Sequence, residues 1–82
     1  MKIVIRPAAD KALSKMPKAD AAALRAKLAA YAADPAASTA VKALRGRSGE
    51  YRLRHGDWRA LFTIENGALI LRVVRHRREA YR

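Results

Sequence analysis

The sequence predicts a small α+β domain: a helix hairpin packed on one face of a mainly antiparallel sheet, in the order β-α-α-β-β-β. Three observations carry this prediction. Apolar residues recur at helical spacing through an alanine-rich first half, and the period changes to two from Glu50 onward. Two-residue turn signals, Gly56-Asp57 and Asn66-Gly67, punctuate the second half. Eighty-two residues leave room for one small core, so residues 1–82 read as a single domain.

Each element has a local reason. The alternating run over residues 2–6 is a short strand that Pro7 ends, and Pro7 suits the first turn of a helix. Over residues 8–16, Ala9, Ala12, Leu13 and Met16 form one stripe. Pro17 breaks that helix and seeds a second, whose stripe is Ala21, Leu24, Leu28 and Tyr31, and Asp34-Pro35 stops it. Residues 36–42 are a connection with little to specify it. Strands are expected over residues 51–55, 58–65 and 68 to about 74. Gly56-Asp57 fits a type II′ turn between the first two of these strands, and residues 76–82 form a basic tail, extended or in one short helical turn.

Cations are sorted along the chain. Residues 44–82 hold ten arginines and no lysine, whereas residues 1–43 hold six lysines and two arginines. Arginine presents a planar fork that grips phosphate bidentately; lysine is a solvated point charge. The second half therefore reads as a phosphate-holding surface, most simply for nucleic acid. A net charge of +11 strains a compact fold by self-repulsion and favours polyanions or an acidic protein as partner.

Parity assigns the faces. A two-residue loop at Gly56-Asp57 sets Arg54 opposite Arg59 and Leu53 opposite Ala60. Tyr51, Leu53, Ala60, Phe62, Ile64, Leu69, Leu71 and Val73 then face the helices, while Arg52, Arg54, Arg59, Leu61, Thr63 and Arg72 face outward, with no carboxylate paired among the arginines. Directly opposed like charges destabilise a sheet, so a retained arginine pair suggests an anion between them. Trp58 and Tyr51 read as packing residues rather than base-stacking platforms. His55 and His76 are expected near the arginine face.

Other classes are disfavoured. There is no cysteine, hence no disulfide and no thiolate metal site, and no metal or cofactor is expected. No apolar run approaches the roughly 20 residues of a membrane span. Arg6-Pro7 interrupts the N-terminal apolar run where a signal peptide would continue it. A cytoplasmic protein is expected.

The run Tyr51-Arg52-Leu53-Arg54-His55-Gly56-Asp57-Trp58-Arg59, preceded by Leu44-Arg45-Gly46 and followed by His76-Arg77-Arg78-Glu79-Ala80-Tyr81-Arg82, resembles the RelE/ParE superfamily of bacterial toxins. Leu13, Met16-Pro17, Leu28 and Pro35 extend the likeness over nearly the whole chain. The resemblance implies a toxin of a type II toxin–antitoxin system. Such a toxin enters the ribosomal decoding site and cleaves mRNA there, and an acidic antitoxin holds it in a hetero-oligomer. The chemistry implied is attack of a ribose 2′-OH on the adjacent phosphate, which requires a base, cations for the phosphorane and an acid for the 5′ oxygen.

By position in the motif, these tasks fall to Arg52, Arg54, Arg59, Arg77 and Tyr81, with Arg75 as an alternative to Arg77. Arg45, Arg47, Arg72, Arg75 and Arg78 would hold RNA. Lysines are common in RelE-type nucleases where this chain has Arg52 and Arg54. An arginine cannot give up its proton in a protein. Tyr81, whose phenolate the surrounding arginines would favour, is then the first candidate for the base, followed by His55, His76 and Glu79. Two other functions stay open: a ParE-like inhibitor of DNA gyrase, and an inactive relative that binds only RNA or antitoxin.

Overall fold

The computed structural model describes residues 1–44 and 49–80. Strand β1 (Lys2–Ile5) leads into α1 (Pro7–Lys15) and α2 (Lys18–Ala33), then a 3-10 turn (Pro35–Ala37). Strands β2 (Val41–Ala43), β3 (Glu50–His55), β4 (Trp58–Glu65) and β5 (Ala68–His76) follow, and α3 (Arg77–Ala80) comes last. The five strands form one sheet in the order β1-β5-β4-β3-β2. Only the β1–β5 pair is parallel; the other three are antiparallel. The helices thus carry the chain from one edge of the sheet to the other.

Prolines set the helix boundaries as expected. Pro7 occupies the first turn of α1, and Met16 ends it in extended backbone, the conformation a following proline imposes. Both hairpins keep their turn chemistry. Gly56 alone adopts positive φ in its turn, the type II′ pattern, whereas Asn66 and Gly67 both do, the type I′ pattern. β3 therefore meets β4 in the expected register, Leu53 opposite Ala60 and Arg54 opposite Arg59.

The core lies between the helices and one face of the sheet. Ala9, Leu13, Met16, Leu24, Leu28 and Tyr31 bury against Leu53, Ala60, Phe62, Leu69, Leu71 and Val74, with Tyr51 and Ile64 partly buried beside them. The Phe62 ring sits 5.3 Å from Tyr31 and 5.5 Å from Tyr51, stacked on the latter. Burial, and then the neighbouring Tyr51, raises the Tyr31 phenol above its ordinary value, so it is a neutral core group.

Two features differ from the sequence expectation. The stretch read as an unspecified connection contains edge strand β2, pairing Val41, Lys42 and Ala43 with Leu53, Arg52 and Tyr51. The second is a bulge: Leu61 faces Val73 but Phe62 faces Leu71, which leaves Arg72 as the extra residue on β5. Alternation resets there. Val74 is the buried residue and Val73 is not, because strict period two cannot see an inserted residue. The same reset places Arg75, opposite Arg59, on the outer face.

Candidate nucleic-acid interface

The face turned away from the helices carries two rows of cations. β2 and β3 set Lys42 opposite Arg52. β3, β4 and β5 set Arg54 opposite Arg59 and Arg59 opposite Arg75. With strands about 4.8 Å apart, three guanidinium-bearing positions span roughly 10 Å. No described carboxylate pairs with Lys42, Arg52, Arg54 or Arg75; the described ion pairs join Arg25 to Asp10, His55 to Asp20 and Arg72 to Glu65. Such a row opposes folding unless an anion lies over it.

Arg59 is the centre of the longer row, and the structure corrects its expected exposure. It lies on the outer face by register yet is only 8% exposed. Its Nη1 donates to the carbonyls of Gly56 at 2.9 Å and Trp58 at 3.1 Å. Arg54 and Arg75 flank it on either side in the register. Among the described residues, Nε and Nη2 bond no acceptor. The guanidinium is thus held by the turn through one nitrogen, which fixes its position between Arg54 and Arg75 in the register.

The remaining candidate residues divide. Arg52 and Arg54, with Lys42, Thr39, Ala40 and Gly56, line a concavity of about 360 Å³ at the β2–β3 edge. Arg72 is outward as expected, but its Nε donates to Thr63 Oγ1 and its Nη2 to Glu65 Oε2, both at 3.3 Å. The expectation of an arginine face without a paired carboxylate fails at this residue, because the type I′ turn returns Glu65 beside it. Arg77 and Arg78 lie beyond the strand end and line a second concavity with Asp57 and His76; the Arg77 N–H donates to the Asp57 carbonyl. Arg75, rather than Arg77, joins the Arg59 row. The expectations for Arg45, Arg47 and Tyr81 lie outside the described residues.

The histidines are not on the arginine face. His55 shares parity with Leu53, and its Nε2 lies 3.2 Å from Asp20 Oδ1 in the first turn of α2, while its buried Nδ1 has no partner among the described residues. His76 stands opposite Trp58 with the rings edge to face at 5.0 Å. Its Nδ1 accepts the Arg78 N–H at 3.3 Å. Among the described residues no three metal-ligating side chains converge. Sequence reasoning missed Lys42, because a three-residue strand is too short for alternation to announce it.

A family model described as ParE toxin of type II toxin–antitoxin system, parDE, matches residues 3–81. No curated protein sequence matches the chain. Among solved structures, the fold is similar to a chain of the RelB–RelE antitoxin–toxin complex from Methanococcus jannaschii. The TM-score there is 0.80 at 19% identity, covering 95% of this chain and 94% of that one. A chain of the RelBE2 toxin–antitoxin complex from Mycobacterium tuberculosis gives 0.73 at 25% identity, covering 93% and 96%. The isolated RelE toxin of E. coli gives 0.78 at 19% identity, covering 92% and 82%.

Proposed function

The chain belongs to the ParE toxin family of type II toxin–antitoxin systems, and we propose that it is a ribosome-dependent endoribonuclease that cleaves mRNA in the decoding site and thereby stops translation. The observation that carries this reading is the row Arg54–Arg59–Arg75 with Arg59 anchored at its centre. A phosphodiester laid across it would meet fixed cations where its transition state gains charge. In the reaction the 2′ oxygen attacks phosphorus, the bond to the 5′ oxygen breaks, and a 2′,3′-cyclic phosphate and a free 5′-OH result. Arg59 would hold the non-bridging oxygens, with Arg52 and Arg54 on one side and Arg75 on the other. Arg77 and Arg78 would hold the flanking backbone, as would Arg45 and Arg47; Arg72, tied to Glu65, would contribute least.

The arginines cannot supply the base, and neither histidine ring lies on this face. Tyr81 and Glu79 remain, and we favour Tyr81 as the proton acceptor because neighbouring arginines would favour its phenolate. Tyr81→Phe removes one hydroxyl and keeps the ring. It should slow single-turnover cleavage about 100-fold or more with ribosome binding nearly unchanged. An unchanged rate would remove Tyr81 from the mechanism.

We read residues 1–82 as one toxin domain of the cytoplasm, partnered by an acidic antitoxin in a hetero-oligomer. Relatives solved as antitoxin–toxin complexes support that partner, as does the net charge of +11. No described helix is long and apolar enough to cross a membrane. A second reading, inhibition of DNA gyrase without a nuclease centre, is favoured by the ParE description of the matching family. Inducing the protein alone separates the two. The nuclease reading expects translation to stop within minutes and mRNA ends to accumulate at ribosome-occupied codons while DNA stays whole. Double-strand breaks with intact message would replace it with the gyrase reading.

A further inference from the structure

We propose that the concavity at the β2–β3 edge extends the Arg59 site, sharing Arg52 and Arg54 with it, as a subsite for one backbone phosphate of single-stranded RNA, and that Lys42 is the residue that completes it. The inference deepens the nuclease reading by naming where the strand continues beyond the Arg59 row. Its basis is the juxtaposition of three cations around one recess. Lys42 and Arg52 are directly opposed across β2 and β3, and Arg54, two residues along β3 on the same face, closes the recess with Gly56, Thr39 and Ala40. Its volume of about 360 Å³ admits a phosphate group with its sugar. None of the described ion pairs involves Lys42, Arg52 or Arg54.

An edge strand ordinarily uses a lysine to repel pairing with other chains, and that alone would account for one exposed lysine on β2. It does not account for placing the lysine opposite an arginine, where it opposes the pairing of β2 with β3. A phosphate between the two side chains turns this repulsion into two charge-assisted contacts. The small or neutral lining, Thr39, Ala40 and Gly56, leaves space for the anion and supplies no competing carboxylate. Lys42 is the flexible member of the trio. Arg52 and Arg54 bring planar forks from β3, and Lys42 closes on the phosphate from the edge.

The subsite is tested by binding rather than cleavage, so that its failure is distinct from failure of the nuclease reading. The probe is a fully 2′-O-methylated single-stranded RNA of about ten nucleotides, long enough to cross a site of single-domain size and unable to be cut. Affinity is measured against salt for the full chain and three variants. Lys42→Ala should weaken binding severalfold and reduce the slope of log affinity on log salt by about 0.7, the loss of one phosphate contact. Lys42→Arg should restore both. Lys18→Ala, which removes one exposed charge from α2, sets the effect of net charge alone. A Lys42→Ala change no larger than that of Lys18→Ala overturns the proposal. So does an unchanged RNA slope accompanied by weaker binding of an acidic peptide, which would give the recess to a protein partner. Normal RNA binding changes at Lys42 in a protein that yields no mRNA ends would leave the subsite standing and remove only the nuclease.

Discussion

Arg59→Ala should reduce single-turnover cleavage on programmed ribosomes by about 100-fold or more, as loss of one preorganised donor to a developing oxyanion does. The effect on stability should be small by comparison, because two terms oppose each other. Removing the guanidinium leaves the Gly56 and Trp58 carbonyls without their donor, a cost of about 1–3 kcal/mol where water cannot replace it. It also removes the middle cation from between Arg54 and Arg75, which relieves repulsion on both sides. At about 4–8 °C per kcal/mol for a domain of this size, the lost bonds alone would lower the melt by roughly 4–24 °C. The relieved repulsion should bring the observed shift toward the lower end of that range. Arg59→Lys keeps the charge, but one ammonium cannot serve both turn carbonyls and the phosphate in the geometry of the fork. Its cleavage rate should fall between the parent and Arg59→Ala. A folded Arg59→Ala protein that cleaves like the parent would remove the central residue from the site and with it the assigned role of the row.

The sequence was legible wherever short-range chemistry decides structure. Pro7, Pro17 and Pro35 mark helix boundaries because a ring in place of an N–H acts within a residue or two. Gly56-Asp57 and Asn66-Gly67 fixed two turns, and the turns fixed the β3–β4 register that opposes Arg54 and Arg59. What was not legible depends on residues distant in sequence. Edge strand β2 exists because Leu53, Arg52 and Tyr51 offer it a partner, not because Val41-Lys42-Ala43 prefers to be extended. The bulge opposite Leu61 and Phe62 moves burial from Val73 to Val74 and brings Arg75 into the row. Parity counted along one strand carries no information about an extra residue relative to its neighbour.

The same limit applies to environment. Register assigned Arg59 to the outer face, but its burial and its bonds to the Gly56 and Trp58 carbonyls are tertiary features that no count along the chain reports. His55 is the converse case. Its parity with Leu53 directs it toward Asp20 on α2, so that parity rule, applied to the histidine as it was to the arginines, would have taken it off the candidate face. The candidate site was therefore readable as a set of arginines on one face of a sheet, and not as the particular neighbours each would acquire.

Phe62→Ala should be the most damaging single change to the fold. The side chain is 1% exposed and its ring packs between Tyr31 and Tyr51, joining α2 to the middle of the sheet. Truncation of such a ring costs about 3–5 kcal/mol through lost transfer energy and the cavity left behind. At about 0.05–0.15 kcal/mol per residue, a chain of 82 residues has on the order of 4–12 kcal/mol in total. The variant should therefore lose from about a quarter to all of its stability. Self-repulsion from a charge of +11 pushes the parent toward the lower part of that range at low salt. Circular dichroism of Phe62→Ala in low-salt buffer should consequently show a large unfolded fraction near 37 °C. Added salt or polyphosphate should recover much of it, since screening and anion binding both favour the compact form. RNA affinity per folded molecule should stay at the parent value, because Phe62 lies on the helix side of β4 and Arg59 on the other. A normal melt for Phe62→Ala would show that the Tyr31–Phe62–Tyr51 cluster does not hold the sheet to α2. A fall in affinity per folded molecule would show that the arginine row depends on that cluster for its shape.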